Sequence, residues 1–146
     1  MYIGELLGSI FTEHSGTVEI VSIAVGVCFY EWKRDGERKQ PFDIHLTGRR
    51  SFCMAGIFAD SSDLHSATYL MFTKGANEMM KNIHDRMPLN VGSGRGAEWI
   101  SPEPISNEAF AEFVRPHSAA EMEAVPVLRI VNNARFDRPE CLAPID

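Results

Sequence analysis

The chain has 146 residues, 45% of them hydrophobic and 23% charged, with 14 Lys+Arg against 20 Asp+Glu and a formal net charge of −6. That composition excludes a disordered or fibrous chain, and the length suits one domain, residues 1–146, burying roughly two-thirds of its unfolded surface without staples. Cys28, Cys53 and Cys141 show no CxxC spacing, and the longest uncharged apolar stretch, Ile20 to Tyr30, falls well short of the roughly 20 residues that cross a bilayer. With no basic lead ahead of an apolar core at Met1-Tyr2-Ile3-Gly4-Glu5, the expectation is a soluble cytoplasmic protein without disulfides or a membrane partner.

Strands come first. Thr17 to Trp32 is rich in Val, Ile, Phe and Tyr and is long enough for one bent strand or two in series. Asp35-Gly36 then lies between two extended runs, the pair favoured by a type I′ hairpin turn. Pro41 to Leu46 reads as the returning strand, with Pro41 at its start where a missing N–H is tolerated. Thr47 to Arg50 makes the next turn, Ser51 to Phe58 is a nearly all-apolar strand, and Ala67 to Thr73 is a fourth. Because every connection is too short for a parallel crossover, these four are expected to form an antiparallel meander.

Helices follow. Ala76 to Asp85 carries Met79, Met80 and Ile83 at helical spacing before Pro88, and Asn107 to Val114 repeats the pattern with Phe110, Phe113 and Val114. Val125 to Val131 is strand-like, and a Pro-rich tail runs from Arg135 to Asp146. The fold class is therefore α+β, mainly antiparallel β-sheet with a few short helices. Charge is uneven along it. Lys33 to Arg50 holds six cations against three acids, whereas Glu98 to Glu123 holds six glutamates against Arg115 alone. The basic stretch either faces an anionic partner or is simply a solvated face.

No His or Cys pair has the HxxxH or CxxC spacing that puts two ligands on one ion, so neither a metal site nor a cofactor is expected. Gly92-Ser93-Gly94-Arg95-Gly96-Ala97 fits G-x-G-x-x-A in form. Pro102 and Pro104 cut short the helix a dinucleotide site needs, so a mobile surface loop is expected instead.

Two strings carry more chemistry. In Phe29-Tyr30-Glu31-Trp32, strand alternation points Phe29 and Glu31 one way and Cys28, Tyr30 and Trp32 the other. Glu31 is then a carboxyl among aromatics, an environment that favours the protonated acid; the bland reading is a glutamate on the wet face of a half-buried strand. In Ile83-His84-Asp85-Arg86-Met87-Pro88, His84 falls in the last turn of the expected helix, where the macrodipole favours the imidazolium. Arg86 follows, suited to gripping a phosphate or carboxylate with two parallel hydrogen bonds. A helix cap with an exposed arginine explains the same string equally well.

Taken together these strings resemble the SOS-response-associated peptidase (SRAP) family, whose members process abasic sites in single-stranded DNA. The family's Gly-Phe-Tyr-Glu-Trp strand is similar to Val27-Cys28-Phe29-Tyr30-Glu31-Trp32, and its Gln-Pro-Tyr/Phe strand to Gln40-Pro41-Phe42. Met54-Ala55-Gly56-Ile57-Phe58 resembles its Phe-Ala-Gly strand, and His84-Asp85-Arg86-Met87-Pro88 matches its His-x-Arg-Met-Pro. Val131-Asn132-Asn133 with Pro139-Glu140 resembles its closing segment, so the likeness runs from about Phe29 to Pro144 and leaves residues 1–25 unmatched. Five motifs in order make it specific.

The resemblance implies a partly barrel-like antiparallel fold and an N-terminal cysteine whose amine and thiol capture the ring-opened abasic aldehyde as a thiazolidine. By carry-over Glu31 and His84 are the catalytic proton-transfer residues, Arg86 and Trp32 contact DNA, and Lys33 and Arg34 add backbone contacts. The partner so implied is single-stranded DNA with an abasic site. This chain departs from the family at its start, Met1-Tyr2-Ile3-Gly4 standing where the family has Met-Cys-Gly-Arg, and the family's N-terminal third has no counterpart. Thiazolidine closure needs amine and thiol on one residue, which the internal cysteines do not offer. The expectation is thus an SRAP-like protein acting on or binding abasic single-stranded DNA without that crosslink, which leaves open whether it is an enzyme. The alternatives are a non-covalent DNA-binding or protein-interaction module and an inactive remnant, with self-association through exposed apolar surface as a further expectation.

Overall fold

The computed structural model describes residues 10–14, 17–60, 68–92, 95–101, 106–113, 115 and 117–145. β1 (Ile10–His14) and β2 (Thr17–Gly26) form an antiparallel pair. The long apolar run then breaks at Val27-Cys28, and the chain resumes as β3 (Phe29–Asp35) in a different sheet, so the run is two strands in series. β3 returns as β4 (Arg38–Leu46), with Asp35 opposite Arg38. The hairpin loop is therefore Gly36-Glu37 rather than Asp35-Gly36. Gly36 takes φ +60° while Glu37 does not enter the positive-φ region, the order of a type II′ rather than a type I′ turn.

Pro41 sits inside β4 instead of starting it. Its carbonyl accepts from Val127 N–H (3.0 Å), but it has no N–H to return. The Gln40 side chain supplies the missing donor, with Nε2 donating to the Val127 carbonyl at 2.9 Å. The Gln-Pro pair thus keeps a ladder exchange that proline alone would break.

The expected four-strand meander is not formed. After β4 a 3-10 turn (Thr47–Arg49), with Gly48 at φ +74° and Arg49 at φ +50°, swings the chain back to the first sheet. There β5 (Phe52–Asp60) pairs along its whole length with β2, from Val18↔Asp60 to Gly26↔Phe52. β6 (Thr68–Met71) pairs antiparallel with the other edge of β5 in the same sheet, over Gly56 to Ala59, and β7 (Thr73–Gly75) departs after Phe72. The second sheet is completed late by β10 (Met122–Pro126), giving the order β10-β4-β3.

The expected helix over Ala76–Asp85 is also absent. Gly75 on β7 is the cross-strand partner of Arg86 on β8 (Arg86–Pro88), so the intervening residues must leave and return to the same place. A ten-residue helix would separate its ends by about 15 Å. The loop instead holds one 3-10 turn, Met80–Asn82, whose start is fixed by Asn77 Oδ1 accepting from Met80 N–H (3.0 Å). β9 (Asn90–Val91) then joins β5. Of the glycine-rich stretch, where a surface loop is expected, Ser93 and Gly94 lie outside the described residues and Gly96-Ala97 begins a single turn of helix, α1 (Gly96–Trp99); α2 (Asn107–Phe113) falls where the apolar spacing places it. The strand expected over Val125–Val131 ends at Pro126 and gives way to a 3-10 turn at Arg129–Asn132.

The core lies between the sheets. Ala24, Phe52 and Met54 from the first meet Phe29, Ile44, Leu46 and Met122 from the second, with Met80 and Met87 closing one end. Phe29 and Phe52 join the layers edge to face at 6.2 Å. Trp99 and Phe113 cover the outer face of the first sheet over Ile23, Ala55, Leu89 and Val91. Burying these side chains is the main favourable term. The fold is mainly antiparallel, but the two sheets stay separate among the described residues, so the barrel-like closure implied by the resemblance is not formed. No helix among the described residues is long and apolar enough to cross a membrane.

Candidate nucleic-acid site

Two cavities meet where β3 passes the β7–β8 hairpin. The first, about 360 Å³, is polar and is lined by Glu31, Trp32, Arg34, Lys39, His84 and Asn132. The second, about 240 Å³, is walled by Phe29, Tyr30, Met71, Thr73, Met87 and Pro88, with Glu31, His84 and Arg86 at its polar side. Glu31 and His84 belong to both. The two residues singled out from distant strings of sequence are thus brought to one place.

Glu31 is half-buried on β3, and its Oε1 accepts from the Trp32 backbone N–H at 3.2 Å. It has the expected aromatic neighbours on one side, while Arg34 and Lys39 stand on the other. Those two cations are cross-strand partners of the β3–β4 hairpin, which is why they share a rim.

His84 does not cap an α-helix, so the macrodipole argument for its imidazolium lapses. Its position comes from its own chain. Nδ1 accepts from Arg86 N–H (3.1 Å) and lies 3.3 Å from the Arg86 carbonyl and 3.2 Å from Asp85 Oδ1. Nδ1 therefore has a partner whether it is bare or protonated, while among the described residues Nε2 makes no hydrogen bond.

Arg86 is less free than the sequence suggests. Nε donates to Thr73 Oγ1 and Nη2 to the Thr73 carbonyl, both at 2.8 Å. One edge of the guanidinium is thus spent on β7, and among the described residues Nη1 makes no hydrogen bond. Trp32 donates through Nε1 to Asn132 Oδ1 at 2.7 Å. Lys33 is exposed and lines neither cavity, so it is set apart from Arg34. Of the remaining basic stretch, Arg49 binds buried Asp43 (2.8 Å) and Arg50 turns to the Thr47 carbonyl (3.4 Å), both structural roles.

Lys39, Thr73 and Asn132 were not separable from sequence as site residues. Lys39 is one of six clustered cations, and Asn132 is visible only inside the Val131-Asn132-Asn133 string. The cysteines take no part. Cys28 is buried, and burial together with the nearby negative charge of Asp43 pushes its thiol up to about 11. Burial also raises Cys53. Among the described residues no group of three His, Cys, Asp or Glu side chains is placed to hold a metal ion. What the arrangement offers is a carboxyl and an imidazole together, an apolar recess beside them, and cations on the opposite rim.

A family model described as SOS response associated peptidase (SRAP) matches residues 19–134. Among curated proteins, the chain is 35% identical over 120 residues to the abasic site processing protein YoaM of Bacillus subtilis, covering 78% of this chain and 52% of the relative. It is 32% identical over 120 residues to YoqW of Bacillus phage SPbeta (78% and 53%) and 29% identical over 127 residues to YedK of Escherichia coli (82% and 57%), both also abasic site processing proteins. The chain spans about half the length of these relatives. In fold it is similar to a crystal structure of a Bacteroides thetaiotaomicron protein, with a TM-score of 0.69 at 21% identity over 87% of this chain and 56% of the other.

Proposed function

Because the chain belongs to the SRAP family, we propose that it acts on or binds abasic sites in single-stranded DNA, and that the wall shared by Glu31 and His84 is where the abasic sugar is held. The observation that carries this reading is the juxtaposition itself: a carboxyl and an imidazole between a cationic cavity and an apolar one. A DNA strand asks for this division. Its phosphates seek cations, while a sugar that has lost its base leaves a gap that an apolar wall can fill and, when ring-opened, presents a reactive aldehyde.

In this proposal Arg34 and Lys39 take backbone phosphates, Trp32 forms a wall for stacking, and the Nη1 edge of Arg86 meets a phosphate from the opposite side. Lys33 adds a weaker outer contact. Glu31 and His84 move protons at the sugar oxygen and the aldehyde, with His84 acting through Nε2. Cys28, Cys53 and Cys141 are internal and carry no amine beside the thiol, so none of these three is proposed to form a thiazolidine.

The test is incubation with a labelled single-stranded oligonucleotide carrying one abasic site, followed in parallel by native and denaturing electrophoresis. The proposal expects a mobility shift stronger than for the intact oligonucleotide, and no heat-stable adduct through Cys28, Cys53 or Cys141. Equal shifts for both oligonucleotides would remove the abasic preference and leave a general single-strand binder. A heat-stable adduct mapped to Cys28, Cys53 or Cys141 would contradict the exclusion of these internal cysteines.

A further inference from the structure

The C-terminal segment is laced to the back of β3 and β4 at three points. Val127 bonds with Pro41 and Gln40, the Tyr30 hydroxyl donates to the Cys141 carbonyl (3.3 Å), and Trp32 Nε1 donates to Asn132 Oδ1 (2.7 Å). The first two are backed by the buried cluster of Tyr30, Val127 and Cys141. The third differs in kind, because it lies at the exposed rim and both its residues line the polar cavity.

An indole N–H can only donate, so the Asn132 amide must turn Oδ1 toward it. The bond sits at the short end of the usual N–H···O range. Behind the indole, Val131, Phe136 and Leu142 pack against the same small cluster as Trp32 itself. The ring therefore has packing on its inner side and a hydrogen bond at its edge, and it cannot swing without breaking one of them. An unanchored half-buried tryptophan would sample several rotamers and lose freedom on stacking with a ligand.

From this we infer that Asn132 is a positioning residue: it fixes the plane of Trp32 so that the indole is ready to stack against a nucleotide of a strand lying on Arg34 and Lys39. The inference rests on the proposed abasic-site reading and adds a residue that acts through Trp32 rather than on DNA. It explains why the 3-10 turn Arg129–Asn132, far along the chain, ends at the rim of a cavity built from β3, β4 and the β7–β8 loop.

The test combines a double-mutant cycle with the indole N–H resonances of ¹⁵N-labelled protein, in which Trp32→Phe assigns the Trp32 peak and buried Trp99 reports on the fold. Asn132→Ala is expected to move the Trp32 peak upfield, leave the Trp99 peak in place, and weaken binding of an abasic single-stranded oligonucleotide about 5–10-fold. Asn132→Asp, which keeps the acceptor, returns the Trp32 peak toward its original position. In a Trp32→Phe background Asn132→Ala costs nothing further, because its partner is gone. Equal losses in both backgrounds, an unmoved Trp32 peak, or undiminished binding by Asn132→Ala would overturn the inference alone. If the unsubstituted protein binds neither abasic nor intact oligonucleotide, the abasic-site reading falls and takes the stacking role with it.

Discussion

Glu31 on β3 and His84 in the loop ahead of β8 line the same two cavities, one polar and one apolar, and together form the boundary between them. Neither strand pairing nor sequence distance joins them, since β3 lies in one sheet and the β7–β8 hairpin in another. They meet because Phe29, two residues before Glu31, and Met87, three after His84, are buried in one core cluster. Packing of apolar neighbours thus sets the spacing of polar groups at the surface, a common way for rigid elements to hold a site.

Arg86 is the first residue to test. Its Nε and one Nη are committed to Thr73, which fixes the guanidinium, while among the described residues Nη1 makes no hydrogen bond. Arg86→Ala should weaken single-strand binding by a similar factor for all sequences, about 5–10-fold, and lower the salt slope by about one. Titrations at several salt concentrations check this. An unchanged slope would assign Arg86 to holding β7 alone.

The hairpin cations should separate into two classes. Arg34→Ala and Lys39→Ala each remove a charge from the polar cavity, so each should reduce both affinity and salt dependence. Lys33→Ala, outside both cavities, should have a smaller effect. Fluorescence anisotropy with one labelled oligonucleotide compares all three, and equal effects would argue for a diffuse basic face.

Gly56 is a packing requirement rather than a flexible joint. A Cβ built there would lie 2.6 Å from Tyr69 Cζ and 2.7 Å from the Leu70 carbonyl oxygen, so the ring lies directly over the glycine. Gly56→Ala should therefore destabilise the fold by about 2–4 kcal/mol, read from the urea midpoint. A midpoint unchanged from that of the unsubstituted protein would contradict this packing.

Cys28 gives a pH dependence. Its thiol is raised from 9.0 to about 11, first by burial and then by Asp43. A folded pKa above the unfolded one means the folded state holds its proton longer. The stabilisation is thus complete below pH 9 and is lost as pH rises from about 9 to 11. Chemical unfolding across that window should show the unsubstituted protein losing about 1–3 kcal/mol more than Cys28→Ala. Parallel curves would contradict the buried-thiol assignment.

Much of the fold was legible where local rules and tertiary packing agree. β3, β4 and β5 follow their apolar runs, and α2 follows Phe110 and Phe113. The misreadings share a cause, in that a nonlocal contact overrode a local pattern. Met79, Met80 and Ile83 have helical spacing, but the pairing of Gly75 with Arg86 demands a return loop. Pro41 looks like a strand start until Gln40 is seen replacing its donor. The meander failed because strand lengths and turns say little about which sheet a strand joins. For the site, Glu31, His84 and Trp32 were visible in strings, while Lys39, Asn132 and Thr73 gain meaning only from neighbours across the fold.

Glu31 and His84 are proposed to work as one site on abasic DNA. The most direct measurement is a double-mutant cycle on the ratio of affinities for abasic and intact single-stranded oligonucleotides, using Glu31→Gln, His84→Ala and the pair. Each single substitution is expected to remove most of the abasic preference, the pair to lose little more, and affinity for the intact strand barely to change. A preference that survives both substitutions, or losses that simply multiply, would contradict it.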